Sequence, residues 1–81
     1  MKEITIDCAG LVKAGLHRAF RDALGLPRWY GNNLDALYDC LTEIFDPTHL
    51  KILNLPPIPG FRETLEDAAR DNECLSVTVL A

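Results

Sequence analysis

Four acidic side chains lie close together in a part of the chain that has no basic residue. Between Arg28 and Lys51 there is no lysine or arginine, yet four acids fall inside this window: Asp35, Asp39, Glu43 and Asp46. Of the 12 acidic residues the other eight balance the eight basic ones, so the net charge of −4 comes entirely from this window. Closely spaced carboxylates attract basic partners and can imitate a row of phosphates. The window is therefore the first candidate for a functional surface.

The spacing of the apolar residues around these acids predicts a helix over residues 34–45. One arc of this helix faces the core and contains Leu34, Leu37, Tyr38, Leu41 and Phe45. A stripe lies beside that arc, with Glu43 just beyond it, and contains Asp35, Asp39, Thr42 and Asp46. Asp35 and Asp39 are one turn apart, so their repulsion destabilises the helix by roughly 0.2–0.5 kcal/mol. We interpret the stripe as a binding surface; the alternative is a solvated acidic face that keeps the protein soluble.

Two large aromatic residues precede this helix. Trp29 and Tyr30 belong to the segment RWYGNN, which predicts a turn in which Gly31 is free to adopt a positive φ. Asn32 or Asn33 suits the N-cap of the helix. Aromatic residues are enriched at binding hot spots, so the turn extends the candidate surface. The alternative is that both rings cover the core, which we prefer for Tyr30.

The residues that might support catalysis stand apart from one another. His17 and His49 are isolated, and we interpret both as structural or surface residues. The sequence has no nucleophile motif, glycine-rich phosphate loop or HExxH zinc motif. Asp35 and Asp39 are a conceivable acid–base pair, but a convex helix face in so small a chain offers no pocket to desolvate either. We therefore expect a protein that is not an enzyme.

The cysteines predict neither a disulfide framework nor a metal site. Cys8, Cys40 and Cys74 are odd in number and have no CxxC spacing. We interpret them as small buried hydrophobic residues in a reducing compartment. A Cys40–Cys74 pair remains open, because sequence alone does not place their Cα atoms. No cofactor and no metal are expected.

The composition is that of one small globular domain. The chain has 81 residues, of which 48% are hydrophobic and 25% charged, so residues 1–81 are expected to form one ordered domain. The acidic balance argues against direct binding of nucleic acid. No apolar run approaches the length of a membrane span, and MKEITID carries acids where a signal peptide needs apolar residues. We expect a cytoplasmic protein that is monomeric when free and binds neither membranes nor nucleic acid.

The remaining elements predict a small α/β fold. Apolar patterns predict strands over 2–7, 50–55 and 74–80. They also predict helices over 13–24 and 61–72, with Gly25 and Pro27 ending the first helix and PPIPG forming a stiff loop. The order is β-α-α-β-α-β. Strands separated by helices favour right-handed crossovers and a three-stranded parallel sheet with helices packed on it.

Residues 26–43, LPRWYGNNLDALYDCLTE, resemble the signature of the barstar family of intracellular ribonuclease inhibitors. The shared pattern is Leu-Pro, aromatic-Tyr-Gly, Asn-Leu-Asp-Ala-Leu and aromatic-Asp-Cys-Leu-Thr. The order of elements on either side also fits, so the resemblance covers essentially the whole chain. It implies a barstar-like fold and a protein that blocks a basic, guanyl-preferring ribonuclease such as barnase, or a related toxin. A barstar-like immunity or adaptor protein with a non-ribonuclease partner stays open, because fold does not fix function.

The resemblance also implies roles for the second helix and the loop before it, residues 29–46, which plug the enzyme's active site. Asp39 would occupy the phosphate-binding position and pair with arginines and the catalytic histidine, while Asp35 would bond basic groups nearby. The residues that would make further contacts with the enzyme are Trp29, Gly31, Asn33, Leu34, Tyr38 and Thr42. The acidic window adds Glu43 to this set. The rim of this contact surface would be formed by Asp46, Glu66 and Asp67. The barnase–barstar pair is the usual example of charge steering and binding hot spots, so these expectations come with the resemblance.

Overall fold

A computed structural model describes residues 1–27 and 30–80. Within these ranges the chain forms six elements in the predicted order: β1 (Lys2–Asp7), α1 (Lys13–Leu24), α2 (Leu34–Thr42), β2 (Thr48–Leu53), α3 (Phe61–Asp71) and β3 (Leu75–Leu80). The strands form one parallel sheet in the order β1-β2-β3. The predicted three-stranded parallel α/β fold is therefore confirmed. Apart from the end of α2, each bound lies within two residues of its predicted position.

The sheet has one apolar face and one polar face. Because side chains alternate along a strand, a single face collects the buried apolar residues of all three strands: Ile6, Leu50, Ile52 and Leu75. On the opposite face Thr5 and Thr78 are exposed. His49 lies there with its Nδ1 2.7 Å from the Ser76 hydroxyl oxygen and its Nε2 3.2 Å from that of Thr78. Hydroxyls of the neighbouring strand thus hold His49 in a structural role.

The end of α1 follows from its glycine. Gly25 adopts a left-handed conformation with φ of 63°, and its N–H donates to the carbonyl of Arg21. Pro27 follows and has no N–H with which to continue a helix. The helix then packs its buried face on the core, where the Phe20 ring meets the edge of Phe61 from α3 at a centroid distance of 5.2 Å. α1 and α3 thus share one hydrophobic core.

A buried histidine joins α1 to the chain that leads into α2. His17 is 1% exposed, and its Nδ1 is hydrogen-bonded to the hydroxyl of Tyr30, which is itself buried. Burial and, to a lesser degree, Lys13 lower the pKa of His17, and burial raises the pKa of Tyr30 to about 12. Both groups are therefore neutral at neutral pH. The expectation that Tyr30 belongs to the core is confirmed.

The prediction that the second helix reaches residue 45 is wrong. α2 ends at Thr42, whose hydroxyl donates to the carbonyls of Tyr38 (2.9 Å) and Asp39 (3.1 Å). The side-chain amide of Asn72, just after α3, donates to the carbonyls of Leu41 (3.0 Å) and Ile44 (2.8 Å). Carbonyls at the end of a helix need such partners. Side chains supply them here, so no further helical turn is required.

Because α2 ends early, two residues lie outside the positions predicted for them on the helix. Phe45 was expected on the core face, but it is 82% exposed. Asp46 also leaves the helical stripe, and its carbonyl accepts a hydrogen bond from the Thr48 hydroxyl at 2.8 Å as β2 begins. The acidic stripe on α2 therefore contains Asp35 and Asp39, with Glu43 as its C-cap.

The three cysteines are free thiols, and Cys8 and Cys40 belong to the hydrophobic core. Cys8 and Cys40 are buried, Cys74 is half-buried, and all three are free. Burial raises the pKa of the Cys8 and Cys40 thiols, so both stay protonated at neutral pH. They pack as small hydrophobic residues, as predicted. None of the helices described for residues 1–27 and 30–80 is long and apolar enough to cross a membrane.

Candidate protein-binding surface on α2

The start of α2 is fixed by an asparagine cap. The Asn33 side-chain oxygen accepts a hydrogen bond from the Ala36 N–H at 2.8 Å, and its amide donates to the Gly31 carbonyl at 3.3 Å. Such a cap stabilises a helix by about 1 kcal/mol. Positive φ falls on Asn32 (52°) and not on Gly31, so that detail of the prediction is wrong. A side chain at position 31 would instead be too close to its neighbour, because a Cβ there would lie 2.9 Å from the Asn33 amide nitrogen.

α2 lies along α3 and contacts it at both ends. Near the start, Leu34 packs over Gly60, which has φ of 80° and precedes α3; a Cβ on Gly60 would come within 2.8 Å of a Leu34 methyl carbon. Farther along, the Tyr38 hydroxyl donates to the carboxylate of Asp71 at the end of α3. The Asn72 amide then holds the last carbonyls of α2. These contacts fix one face of α2 and leave the acidic face to solvent.

The acids of α2 are exposed and not engaged within the described structure. Asp35 and Asp39 are exposed, and so is Glu43 one turn beyond Asp39. None of the three forms an ion pair with a basic side chain of residues 1–27 or 30–80. Asp35 lies in the first turn, where the helix dipole favours a negative charge. Asp39 lies beyond that turn, so its position serves no local electrostatic purpose in the helix.

Three of the four acids of α3 are engaged with basic side chains, and the fourth, Glu63, is exposed with no ion pair to a described basic side chain. Glu66 lies 3.5 Å from Arg62, and Asp67 lies 3.3 Å from Arg70. Arg70 also pairs with Asp71 at 3.3 Å. The hydrogen bond from Tyr38, followed by that from Arg70, lowers the pKa of Asp71. Hydrogen bonding and charge from Asp71 in turn raise the pKa of Arg70.

Comparison with known proteins identifies the family of this chain. The family model for Barstar (barnase inhibitor) matches residues 1–75. The chain belongs to the barstar family. A stretch of 27 residues is also 59% identical to a Bacillus subtilis (strain 168) protein named "Putative ribonuclease inhibitor YrdF" and covers 33% of this chain. That stretch spans only 30% of the relative's length. The resemblance inferred from residues 26–43 is thereby confirmed.

The barstar-family positions are brought together on α2 and its cap. Asn33 caps the helix, Asp35 and Asp39 face solvent, and Leu34 is half-buried against Gly60. The predicted contacts of Tyr38 and Thr42 are partly used within the molecule, since both hydroxyls already donate hydrogen bonds. Trp29, also assigned to this surface, lies outside the described residues.

The three residues predicted to form the rim lie on two separate parts of this barstar-family chain. Asp46 is exposed beyond the end of α2. Glu66 and Asp67 lie on α3, and each pairs with an arginine of its own helix. Within residues 1–27 and 30–80, no group of three or more histidine, cysteine, aspartate or glutamate side chains is arranged to hold a metal ion. Asp35, Asp39 and Glu43 thus keep exposed carboxylates on one face of α2, whereas Glu66 and Asp67 are paired.

Sequence reasoning missed the residues of α3 and its ends that position α2. Gly60 was assigned only to a stiff loop, and Asp71 and Asn72 only to the end of a helix. Glycine after PPIP and asparagine at the helix end are signals for backbone turns. Neither signal reveals that Leu34 fills the space above Gly60 or that Asn72 reaches the carbonyls of Leu41 and Ile44. These contacts join residues about 26 to 33 positions apart, and only folding brings them together.

Proposed function

We propose that this protein inhibits a basic, guanyl-preferring microbial ribonuclease by inserting α2 and the loop before it, residues 29–46, into the active site. The supporting observation is that Asp39 is exposed on α2 and forms no ion pair with a described basic side chain. Membership of the barstar family supports the inhibitory role, as does the name of the Bacillus subtilis relative.

The proposed mechanism is substitution of carboxylates for substrate phosphates. A ribonuclease cleft holds arginine, lysine and histidine side chains that bind the phosphates of RNA. Asp39 would enter this position and accept charge-assisted hydrogen bonds from the enzyme's arginines, which are stronger than bonds between neutral groups. Asp35, one turn earlier, would bond basic groups nearby. The acidic window would also attract the basic enzyme from a distance and raise the association rate.

α2 is supported in a fixed position, which favours tight binding. Leu34 rests on Gly60, Tyr38 is bonded to Asp71, and the Asn33 cap orders the first turn. A surface ordered before binding loses less conformational entropy when the partner arrives. The proposal therefore assigns α3 a supporting role and α2 the contact with the enzyme.

We also propose that the protein acts as a monomer in the cytoplasm. The free thiols of Cys8, Cys40 and Cys74 suit a reducing compartment, where disulfides do not persist. The exposed acids of α2, which form no ion pair with a described basic side chain, offer one surface for a single basic partner. The ribonuclease would be bound before it reaches cellular RNA.

A titration into a guanyl-specific microbial ribonuclease tests this function. RNA cleavage is followed at low and moderate salt while the protein is added. We expect cleavage to stop near one equivalent, and we expect Asp39→Asn to need a large excess. Glu63→Gln is the matched control, since it removes one exposed carboxylate charge from α3 outside the predicted rim. Absence of inhibition by folded wild-type protein would contradict the proposal and favour the immunity or adaptor alternative.

A further inference from the structure

Phe45 is an exposed aromatic side chain directly beyond the acidic face of α2. It is 82% exposed, whereas its neighbour Ile44 is half-buried against the core. Burying a phenylalanine side chain is worth about 1.5–3 kcal/mol, so leaving the ring in water forgoes that stabilisation. A contiguous exposed apolar patch rimmed by polar residues is typical of an interaction site, and Phe45 adjoins the apolar lining of a groove. Phe45 is bordered in this way by Glu43 and Asp46.

The ring stands at one side of an open groove of about 410 Å³. The groove lies between the C-terminal ends of α1 and α2 and reaches the first residues of β1. Its apolar lining includes Ile4, Leu24, Leu26, Cys40 and Ile44. This surface offers room for an elongated side chain with an aliphatic stem.

The charge of the groove selects a cation. Glu43 and Asp46 line it on the side of Phe45, and Lys2 lines it from β1, so acids outnumber bases among its described lining residues. Glu43 is also the C-cap of α2, so the groove continues the acidic face that carries Asp39. The sequence window that supplies this whole side contains no lysine or arginine between positions 28 and 51. A basic side chain is the complementary occupant.

We propose that this groove, with Phe45 at its edge, receives an arginine side chain of the basic protein partner. The inference rests on the proposed function for the basic character of that partner. Arginine fits better than lysine, because a planar guanidinium stacks on an aromatic face and bonds a carboxylate with two parallel N–H groups. Phe45 supplies the ring face, Glu43 and Asp46 supply the carboxylates, and the apolar lining covers the aliphatic stem. Phe45 then determines which ribonucleases this chain binds tightly.

The first test measures binding of a single arginine without any ribonuclease. The full chain is titrated with N-acetyl-arginine amide while the NMR signals of the Phe45 ring and the Glu43 and Asp46 amides are followed; N-acetyl-lysine amide and N-acetyl-norleucine amide are the comparisons. We expect arginine to shift these signals more than lysine, norleucine to shift them least, and Phe45→Ala to lose the response. Equal responses to all three compounds, or no response, would overturn the inference.

The second test uses the guanyl-specific ribonuclease itself. We expect Phe45→Ala to raise the dissociation constant by about 3- to 30-fold, the range of an aromatic–cation contact. Val12→Ala is the control, because Val12 is another exposed apolar residue at 72% and does not line the groove. Tight binding by wild type with no change in Phe45→Ala would overturn the inference and leave the proposed function intact. If wild type does not inhibit, the proposed function fails, and the arginine titration still decides the inference.

Discussion

α2 and α3 lie side by side and both expose carboxylates, yet they use them differently. α3 contains Arg62 and Arg70, which pair with three of its four acids at distances of 3.3–3.5 Å. α2 contains Asp35 and Asp39 and no basic residue. Exposed pairs such as those of α3 contribute up to about 0.5 kcal/mol each, while like charges one turn apart cost a similar amount. α3 thus carries a pattern that favours stability, and α2 a pattern that opposes it.

The difference shows that the number of acids does not identify a binding surface. A carboxylate already paired with an arginine has much of its charge compensated, so it attracts another cation less strongly. A carboxylate facing only water keeps its full charge for an incoming cation. α2 therefore exposes both of its acids without ion pairs, although α3 carries four acids, three of which are paired. A small loss of helix stability at Asp35 and Asp39 is consistent with a function that needs both charges on one face.

The largest expected effect follows from removing the central charge of α2. We expect Asp39→Ala to weaken binding to a guanyl-specific ribonuclease by about 2–5 kcal/mol, or roughly 30- to 5,000-fold in Kd. Much of this loss reflects arginines of the enzyme that are left buried without a partner. Isothermal titration or stopped-flow kinetics measures the change. Asp67→Ala on α3 is the control, and an equal loss in both variants would show that the two helices do not differ.

The next prediction concerns the contact between Leu34 of α2 and Gly60, the N-cap of α3. Gly60→Ala introduces a methyl group at positive φ and against Leu34, while Gly10→Ala meets the same φ penalty at 74° with nothing within 4 Å. We expect both to lose about 1–2 kcal/mol from the backbone. Gly60→Ala should lose about 1 kcal/mol more, the low end for overpacking because the end of the Leu34 side chain can shift.

Urea denaturation measures both glycine variants against wild type. The excess loss in Gly60→Ala should be accompanied by weaker ribonuclease binding, since Leu34 belongs to the predicted contact surface. Gly10→Ala should bind like wild type at a temperature where it is folded. Equal destabilisation of the two variants would show that the Leu34–Gly60 contact does not hold α2 in place.

The salt dependence of the association and dissociation rates distinguishes long-range electrostatic attraction from the energy of direct contacts. We expect the association rate to fall by about tenfold or more between about 0.02 M and 0.3 M salt, because the accessible acids act over a distance comparable with the Debye length. The dissociation rate should change by less than about threefold. Stopped-flow mixing at several salt concentrations gives both rates. A salt effect carried mainly by dissociation would contradict steering by the α2 face.

The smallest expected effect concerns the engaged acid at the end of α3. The hydrogen bonds from Tyr38 and Arg70 lower the pKa of Asp71. Stability from these bonds is therefore fully present above the unfolded-state pKa of about 3.9 and is lost as the pH falls through the lower folded-state pKa. Tyr38→Phe keeps the ring and removes the first of these bonds. We expect its unfolding free energy to depend less on pH below about 4, as measured by urea denaturation.

Local sequence signals predicted most of this fold because the elements are short and clearly bounded. Gly25 and Pro27 ended α1 at the predicted residue, and Asn33 was one of two predicted caps for α2. The error came where a distant side chain decided the outcome. Asn72 bonds carbonyls at the end of α2, so Phe45, which has helical spacing, lies in solvent. A periodic pattern does not contain that information.

The exposed acids of the candidate site could be predicted from the sequence, but the ion pairs and hydrogen bonds of the neighbouring acids were not predicted. The absence of lysine and arginine around Asp35 and Asp39 is visible in the sequence and agrees with the exposed carboxylates in the structure. The pairing of Glu66 and Asp67 follows from arginines three or four positions away on α3, which the charge count alone did not weigh. The bond between Tyr38 and Asp71 joins two helices, and no local pattern indicates it.

A pair of charge-matched variants tests the central claim most directly. Asp35→Asn with Asp39→Asn removes two negative charges from α2, and Glu66→Gln with Asp67→Asn removes two from α3, so both proteins have the same net charge. Each is titrated into a guanyl-specific ribonuclease at constant salt, after urea denaturation has shown that it is folded. We predict a loss of inhibition of at least about 100-fold for the α2 variant and less than about threefold for the α3 variant. Equal losses would contradict the claim that the accessible acids of α2 form the inhibitory surface.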